Sequence, residues 1–354
     1  SEKIARLPGA NFIVASPPTE WVVVFHLLLL TAFIFFWPSE KPDAPSESWK
    51  RRQAIYLKGR KAMGVIGFLF VLVSVVWWIV SVTGPQPLRI IFLAVGHGNA
   101  VVVQSPRGPV FVCDGGKETH GPDRYQPLVA YLRHRGISRV EDVLNTHPDE
   151  DHVGGLVNLA WATPIRKAFE GFEVVSDSGI YKAFQKTIQL KGIPLTKLKE
   201  GDLIEGFEPA KISILHPTVS YHPRIHADNN RSVVSQVSFG AFSLILPGDL
   251  EKDGIQKLLK DHQPFPKVDW LMAPHHGRSS GEPALCAQGL RPHFVVLSDW
   301  KDYPEDHKLY QAVVPDAVVL STAEEGAIEV EVNAQGKGRY RSFLKGEWQN
   351  FDGK

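Results

Sequence analysis

The eleven residues Asn145–Gly155, NTHPDEDHVGG, close a run of apolar β-formers and constrain the fold more than any other part of the chain. A strand that ends in His147, Asp149, Asp151 and His152 leaves regular structure where several successive side chains can be turned toward one point. Gly154 and Gly155 follow at once and let the backbone approach a neighbour closely as the next helix begins. Neutral imidazoles and carboxylates together suit divalent cations of the zinc, manganese or iron type. A solvated acidic loop is the plainer reading, but H-x-D-x-D-H followed by V-G-G is a more specific pattern than such a loop needs.

The totals narrow the rest. The chain has 354 residues, enough for one large domain or two ordinary ones. A net charge of +1 points to neither a nucleic-acid binder nor an acidic partner through bulk electrostatics, so only a local basic patch could serve. Two cysteines, Cys113 and Cys286, exclude a disulfide framework or a cysteine-rich zinc cluster. Cys113 lies in an apolar, strand-like run, which is the setting of a buried free thiol.

Apolar residues are unevenly spread. Residues 21–37, WVVVFHLLLLTAFIFFW, and 62–82, AMGVIGFLFVLVSVVWWIVSV, are too long for strands and carry no Asp, Glu, Lys or Arg. The second matches the length needed to cross a hydrocarbon layer of about 30 Å. Both are expected to be transmembrane helices, with a pair of buried core helices as the alternative; His26 in the first reads as a packed residue. The connector at 38–61 carries Lys41, Lys50, Arg51, Arg52, Lys58, Arg60 and Lys61. Positive residues favour the cytoplasmic side, so everything after Val82 is expected outside the cytoplasm. Ser1 opens the sequence without a methionine or a signal peptide, and it reads as the middle of a longer polypeptide.

From Pro87 to Lys354 one α/β domain is expected. LRIIFLAV, NAVVVQS, PVFVC and VEDVLNTH read as strands, with others near 211–215, 232–239, 241–246, 267–273 and 293–298. Helices are expected within DRYQPLVAYLRHRG and near 178–190, 249–260 and 305–313, and the tail AIEVEVNAQGKGRYRSFLKG reads as a hairpin.

The motif HPDEDH resembles the metal-binding signature of the metallo-β-lactamase superfamily, an αββα sandwich. Further elements of that signature follow in order. LPGDLE offers Asp249 as a bridge between two metals, APHHG offers His275 or His276 as a last ligand, and CDGG offers Asp114 as an acid behind the ligands. With FLAVGHGNA, NNRSVV, LPGANFIVASPP and the apolar runs, the chain is similar to the C-terminal part of the ComEC family of DNA-uptake channels.

That resemblance implies two divalent ions, zinc or manganese. His147 and Asp149 would hold one, and Asp151, His152 and one of His275 and His276 the other. Asp149, Asp151 and Asp249 would be the catalytic acids. It implies a bacterial inner-membrane protein, multi-pass, whose extracytoplasmic nuclease degrades one DNA strand. DNA, the membrane, other competence proteins and the channel segment before Ser1 would be its partners.

A third ligand for the first ion falls to Ser232 or Asn230, with His216, His222 and His226 read as loop histidines. The family's opening motif usually reads F-L-D-V-G-Q-G-D-A; here Ala94, His97 and Asn99 replace two acids and a glutamine. His97 and Asn99 are therefore either replacement polar groups or parts of a turn beside the site. The family's N-x-Y-x-H-P stretch is replaced by SDWKDYPEDH, with Tyr303 before Pro304 and His307 expected to face solvent. Arg278, Arg231 and Lys301 are candidate phosphate contacts, and Trp300 and Tyr303 candidate base-stacking groups. Two rivals remain: a hydrolase of a small ester, lactone or β-lactam, and a catalytically silent DNA-binding or gating domain.

Overall fold

The computed structural model describes residues 24–29, 46–83, 86–118, 126–174, 176–223, 225–266, 268–299 and 304–353. The segment Ala15–Gln86 is one compact unit, and the chain from Pro87 to Lys354 belongs to another.

In the first unit, residues 24–29 are helical, and the remainder of the expected span at 21–37 lies outside the described residues. A single helix, α1 (Glu47–Thr83), contains the expected span at 62–82 and also Lys50, Arg51, Arg52, Lys58, Arg60 and Lys61. The connector is therefore not a loop from Glu47 onward. No proline interrupts that stretch, and Trp, Lys, Arg, Gln and Ala propagate a helix without strain. Several side chains of α1, including those of residues 77–83, lie outside the described residues. Among the described residues no helix is long and apolar enough to cross a membrane.

The second unit is built on two sheets. Sixteen strands among the described residues run in order: β1 (Leu88–Phe92), β2 (Val101–Gln104), β3 (Val110–Cys113), β4 (Val140–Asn145), β5 (Ile165–Gly171), β6 (Leu195–Leu198), β7 (Leu203–Ile204), β8 (Lys211–His216), β9 (Val234–Phe239), β10 (Phe242–Leu246), β11 (Trp270–Met272), β12 (Phe294–Leu297), β13 (Val318–Ser321), β14 (Ile328–Val332), β15 (Gly338–Ser342) and β16 (Gln349–Phe351). The first sheet has the order β16-β15-β14-β1-β2-β3-β4-β5-β6 and the second β13-β12-β11-β10-β9-β8-β7. The expected tail hairpin is β14–β15, antiparallel with Val332 opposite Gly338.

Strand alternation decides how these sheets are used. In β1, Leu88, Ile90 and Phe92 join a cluster with Ile212, Val237, Leu244, Trp270 and Phe294 of the second sheet, so the facing surfaces form one core. Trp270 stacks on Phe294 at 4.3 Å between ring centroids and on Phe92 at 6.0 Å, filling the middle of that core. On the other face of the first sheet, Ile91, Val102, Val112 and Val143 pack under α2 (Pro127–His134), α3 (Glu150–Ala162) and α4 (Gly179–Lys191). The outer face of the second sheet is covered by α5 (Lys252–Asp261), α6 (Pro283–Leu290) and α7 (Pro304–Val313). The result is the expected αββα sandwich. Both cysteines are free and buried.

Candidate metal centre

The polar cluster gathers at one end of the sandwich, where strands of both sheets stop. β4 ends at Asn145, and α3 begins at Glu150, earlier than the glycine pair suggests, so Asp151 and His152 lie in its first turn. The pair permits the close backbone approach expected of it: Gly155 passes so close to Gly115 that an added Cβ would sit 1.8 Å from the Gly115 carbonyl oxygen. The Gly115 N–H donates to the His152 carbonyl at 2.7 Å, and the Gly155 N–H to that of Gly116 at 2.8 Å. Thus the CDGG loop after β3 and the start of α3 are locked backbone to backbone, and the side chains above them share one frame.

Asp114 sits beneath that frame at a positive φ of 58°. It accepts from the Thr146 N–H, the Thr146 hydroxyl and His152 Nδ1, each at 2.8 Å. With Nδ1 donating there, His152 turns Nε2 toward the cluster and keeps it unprotonated in the neutral ring. Nε2 of His152 lies 3.1 Å from Asp249 Oδ1. Asp249 follows β10, and its N–H donates to Ser232 Oγ at 3.1 Å. Its Oδ2 lies 3.9 Å from His147 Nε2 and 3.2 Å from His276 Nε2, so this carboxylate stands between imidazoles from both sheets. His147 Nε2 is also 3.7 Å from Asp149, whose side chain is half exposed.

His275 and His276 follow β11 and both adopt positive φ, 49° and 60°, which turns the two rings apart. His276 is 1% exposed and places Nε2 3.2 Å from Asp151 Oδ2. His275 stands at the rim: Nε2 is 3.7 Å from Asp249, while Nδ1 meets Ser280 Oγ at 2.8 Å and Glu251 at 3.2 Å. His97 reaches the same Asp151 oxygen at 3.3 Å, and Asn99 Oδ1 lies 3.3 Å from His276 Nδ1.

Among the described residues two groups have ligand atoms close enough to hold a cation: His147 with His152 and Asp249, and His97 with Asp151 and His276. The partition differs from the expected one. His152 falls with His147 because its contact with Asp114 fixes which way the ring can point. The Nε2 atoms of His147, His152 and His276, with Asp249 Oδ1, are buried without hydrogen-bond partners. Buried polar atoms are rarely left so. Imidazole nitrogens and carboxylate oxygens that converge while lacking protein partners fit divalent cations.

Electrostatics supports the same picture. Burial opposes charge on His152, but Asp249 and Asp114 outweigh it and hold the imidazole well above its usual range. For His276 burial is likewise outweighed, chiefly by Asp249, and its pKa is raised. Burial would push the Asp249 and Asp151 carboxyls up, yet the nearby imidazoles pull both down. Asp149 is lowered first by its contact with His147. Burial and then His276 lower His97 to about 4.

Other expected residues lie elsewhere. The Asn230 amide donates to the Ile225 carbonyl and accepts from the Gly254 N–H, so it braces loops rather than the cluster. Ser232 Oγ serves the Asp249 backbone. Buried His216 donates to the Asn230 carbonyl, His222 is exposed near Glu173, and His226 bonds Glu251. Arg231 pairs with Glu173 at 3.2 Å. Arg278 is partly buried, and its charge is felt at His97 and His275. Trp300, Lys301 and Tyr303 lie outside the described residues, as does the side chain of His307. Glu251, 7% exposed, was not singled out by the sequence, although it directly follows the GDL segment and joins His275, His226 and Asn229.

The sequence pattern of the metallo-beta-lactamase superfamily matches residues 93–291, and the chain belongs to that superfamily. It is similar to ComE operon protein 3 of Bacillus subtilis (strain 168), 27% identical over 252 residues, covering 66% of this chain and 32% of that protein. The chain thus spans about a third of the length of the curated relative it matches. Solved structures with a similar fold include CmlA, a diiron beta-hydroxylase from Streptomyces venezuelae, at 14% identity and a TM-score of 0.46, covering 67% of this chain and 53% of that one. A diphosphatase from the PhnP family matches at 15% identity and a TM-score of 0.42, over 69% of this chain and 98% of that one. A metal-dependent hydrolase from Parabacteroides distasonis ATCC 8503, described as putative, matches at 15% and 0.43, over 67% and 93%.

Proposed function

We propose that this chain is the metal-dependent nuclease part of a DNA-uptake protein, hydrolysing one strand of incoming DNA outside the bacterial inner membrane. The observation that carries the metallohydrolase reading is the buried set of imidazole nitrogens without protein partners around Asp249. The choice of DNA rests on the resemblance to the ComEC family and on the similarity to ComE operon protein 3. Anchoring by 21–37 and 62–82, with competence partners and a preceding channel segment, belongs to the same proposal.

His147, Asp149, His152 and Asp249 would hold one zinc or manganese ion, and Asp151, His276 and the shared Asp249 the other. Such ions polarise a phosphodiester and make water a nucleophile near neutral pH. His276 is favoured over His275 as a ligand because it is buried and a single ring nitrogen, Nε2, approaches both Asp151 and Asp249. Asp149, half exposed and kept ionised beside His147, would also orient the attacking water. Arg278 brings positive charge to the rim, where a phosphate would approach. Asp114 fixes the tautomer of His152, and Ser232 holds the Asp249 backbone.

The test is cleavage of end-labelled single-stranded DNA by the purified chain supplied with manganese or zinc, beside Asp249→Asn. Cleavage by the parent alone supports the reading. A folded, metal-loaded parent that leaves DNA intact but opens a small ester or lactam would transfer the site to that substrate class. Binding of DNA without turnover of any substrate would support the silent-domain rival.

A further inference from the structure

We infer that His97 is an additional imidazole ligand, through Nε2, to the cation held by Asp151 and His276. The inference rests on the metallohydrolase reading and assigns a residue that the superfamily signature at HPDEDH, LPGDLE and APHHG does not supply.

The geometry of the cluster carries it. His97 Nε2 lies 3.3 Å and His276 Nε2 3.2 Å from the same oxygen, Asp151 Oδ2. Ligand atoms of all three residues lie within 4.8 Å of one another. The two imidazoles face each other at 4.2 Å between centroids, inclined by 55°. Two ring nitrogens directed at one carboxylate oxygen compete for it in the absence of a cation, and His276 Nε2 is left without a hydrogen bond. A cation between them accepts both lone pairs and the carboxylate together.

The loop carrying His97 is also fixed to the residues it would assist. The Asn99 N–H donates to the Asp151 carbonyl at 3.1 Å, and the Asn99 carbonyl accepts from Gly116 at 2.7 Å. Gly98 has φ of 130°, and an added Cβ would lie 2.2 Å from the Asp151 carbonyl oxygen. Ser298 Oγ donates to the Gly98 carbonyl from the second sheet. His97 is thus followed directly by two anchored residues rather than lying on a free turn. Such preorganisation lowers the cost of using its side chain as a ligand.

The chemical consequence is selectivity. A second imidazole beside Asp151 and His276 makes this position richer in nitrogen and favours zinc over manganese there. Gln, the residue usual in the family's motif, offers an amide oxygen and should restore a more manganese-tolerant position.

The experiment uses the full chain, stripped of metal and titrated with zinc against a chromophoric chelator, and with cobalt followed by its visible absorption. Wild type, His97→Gln and His147→Gln are compared, with metal-free thermal unfolding as a check on folding. His97→Gln is expected to keep its fold and lose at least about tenfold in zinc affinity at one of two equivalents. The cobalt absorption of that equivalent should change, whereas His147→Gln perturbs the other. Unchanged affinity and cobalt spectrum in folded His97→Gln would overturn the role of His97 while leaving the metal centre standing. A wild-type chain that binds no cation would remove both.

Discussion

Replacing Asp114 by Asn isolates how the acid beneath the cluster acts. Asn tolerates the left-handed backbone that Asp114 adopts at φ 58°, so the loop itself should survive. If the amide oxygen keeps the bond from the Thr146 N–H, the amide nitrogen replaces Oδ2, which now accepts from Thr146 Oγ1 and His152 Nδ1 at 2.8 Å. An NH2 group cannot accept from Nδ1. The imidazole must then accept at Nδ1 and carry its proton on Nε2, the nitrogen facing Asp249. That tautomer cannot donate a lone pair to a cation. Loss of a supporting partner of this kind costs about 10- to 100-fold in metal affinity, or about 1.4–2.7 kcal/mol. The metal-free protein also loses a hydrogen bond to a charged acceptor, about 1.5–3 kcal/mol. For a unit of this size that lowers Tm by roughly 3–12 °C. Chelator competition reads the first effect and calorimetry of the stripped protein the second. Wild-type zinc affinity in folded Asp114→Asn would refute the tautomer argument, whatever the stability.

Other outcomes follow from the same geometry. Gly155→Ala should cost at least ~3 kcal/mol or prevent folding, because the new Cβ would meet backbone rather than a flexible side chain; Gly179→Ala, with nothing within 4 Å, should be neutral or stabilising in the same denaturation assay. His152 and His276 have raised pKa values, so cation binding must expel protons from them. Apparent affinity should therefore rise with pH through those values, and the binding heat should vary with buffer ionisation enthalpy; no buffer dependence would contradict the shifts. In the metal-free protein the same histidines contribute stability fully below about pH 6.5, lost as pH rises through their raised values, which pH-dependent unfolding can follow. Trp270→Ala, in the middle of the inter-sheet core, should cost about 3–5 kcal/mol by chemical denaturation.

Where apolar patterning was strong, the sequence specified its element: β1, β3, β4, β9, β10 and the β14–β15 hairpin lie within the runs that suggested them. β5, IRKAFEG, was not legible because charged residues open it and its apolar face is completed only by packing against α3 and α4. The glycine pair signalled a close backbone approach, which Gly155 makes to Gly115, but α3 begins ahead of the pair, at Glu150. Ligand identities were readable as residue types at set spacing. Their partition was not, since it depends on which ring nitrogen Asp114 holds, a contact across 38 residues of sequence. Asn230 looked like a ligand by position alone, yet its amide bridges Ile225 and Gly254. Glu251 was overlooked because its partners, His226 and His275, come from opposite directions along the chain.

The seam location of the cluster has a mechanical meaning. His147 and His152 are carried by the half built on β4, whereas Asp249 and His276 are carried by the half built on β10 and β11. Ions at such a seam would act as a clasp across the sandwich, joining two layers otherwise linked by side-chain packing, crossing loops and hydrogen bonds such as Ser298 to Gly98. Loading would stabilise the joined state by about 4 kcal/mol at a thousandfold excess over Kd, and most of it would appear as slower separation of the layers. Metal supply would then set the lifetime of the folded domain as well as its chemistry, so a chain starved of ions would be exposed to proteases before its activity was ever needed.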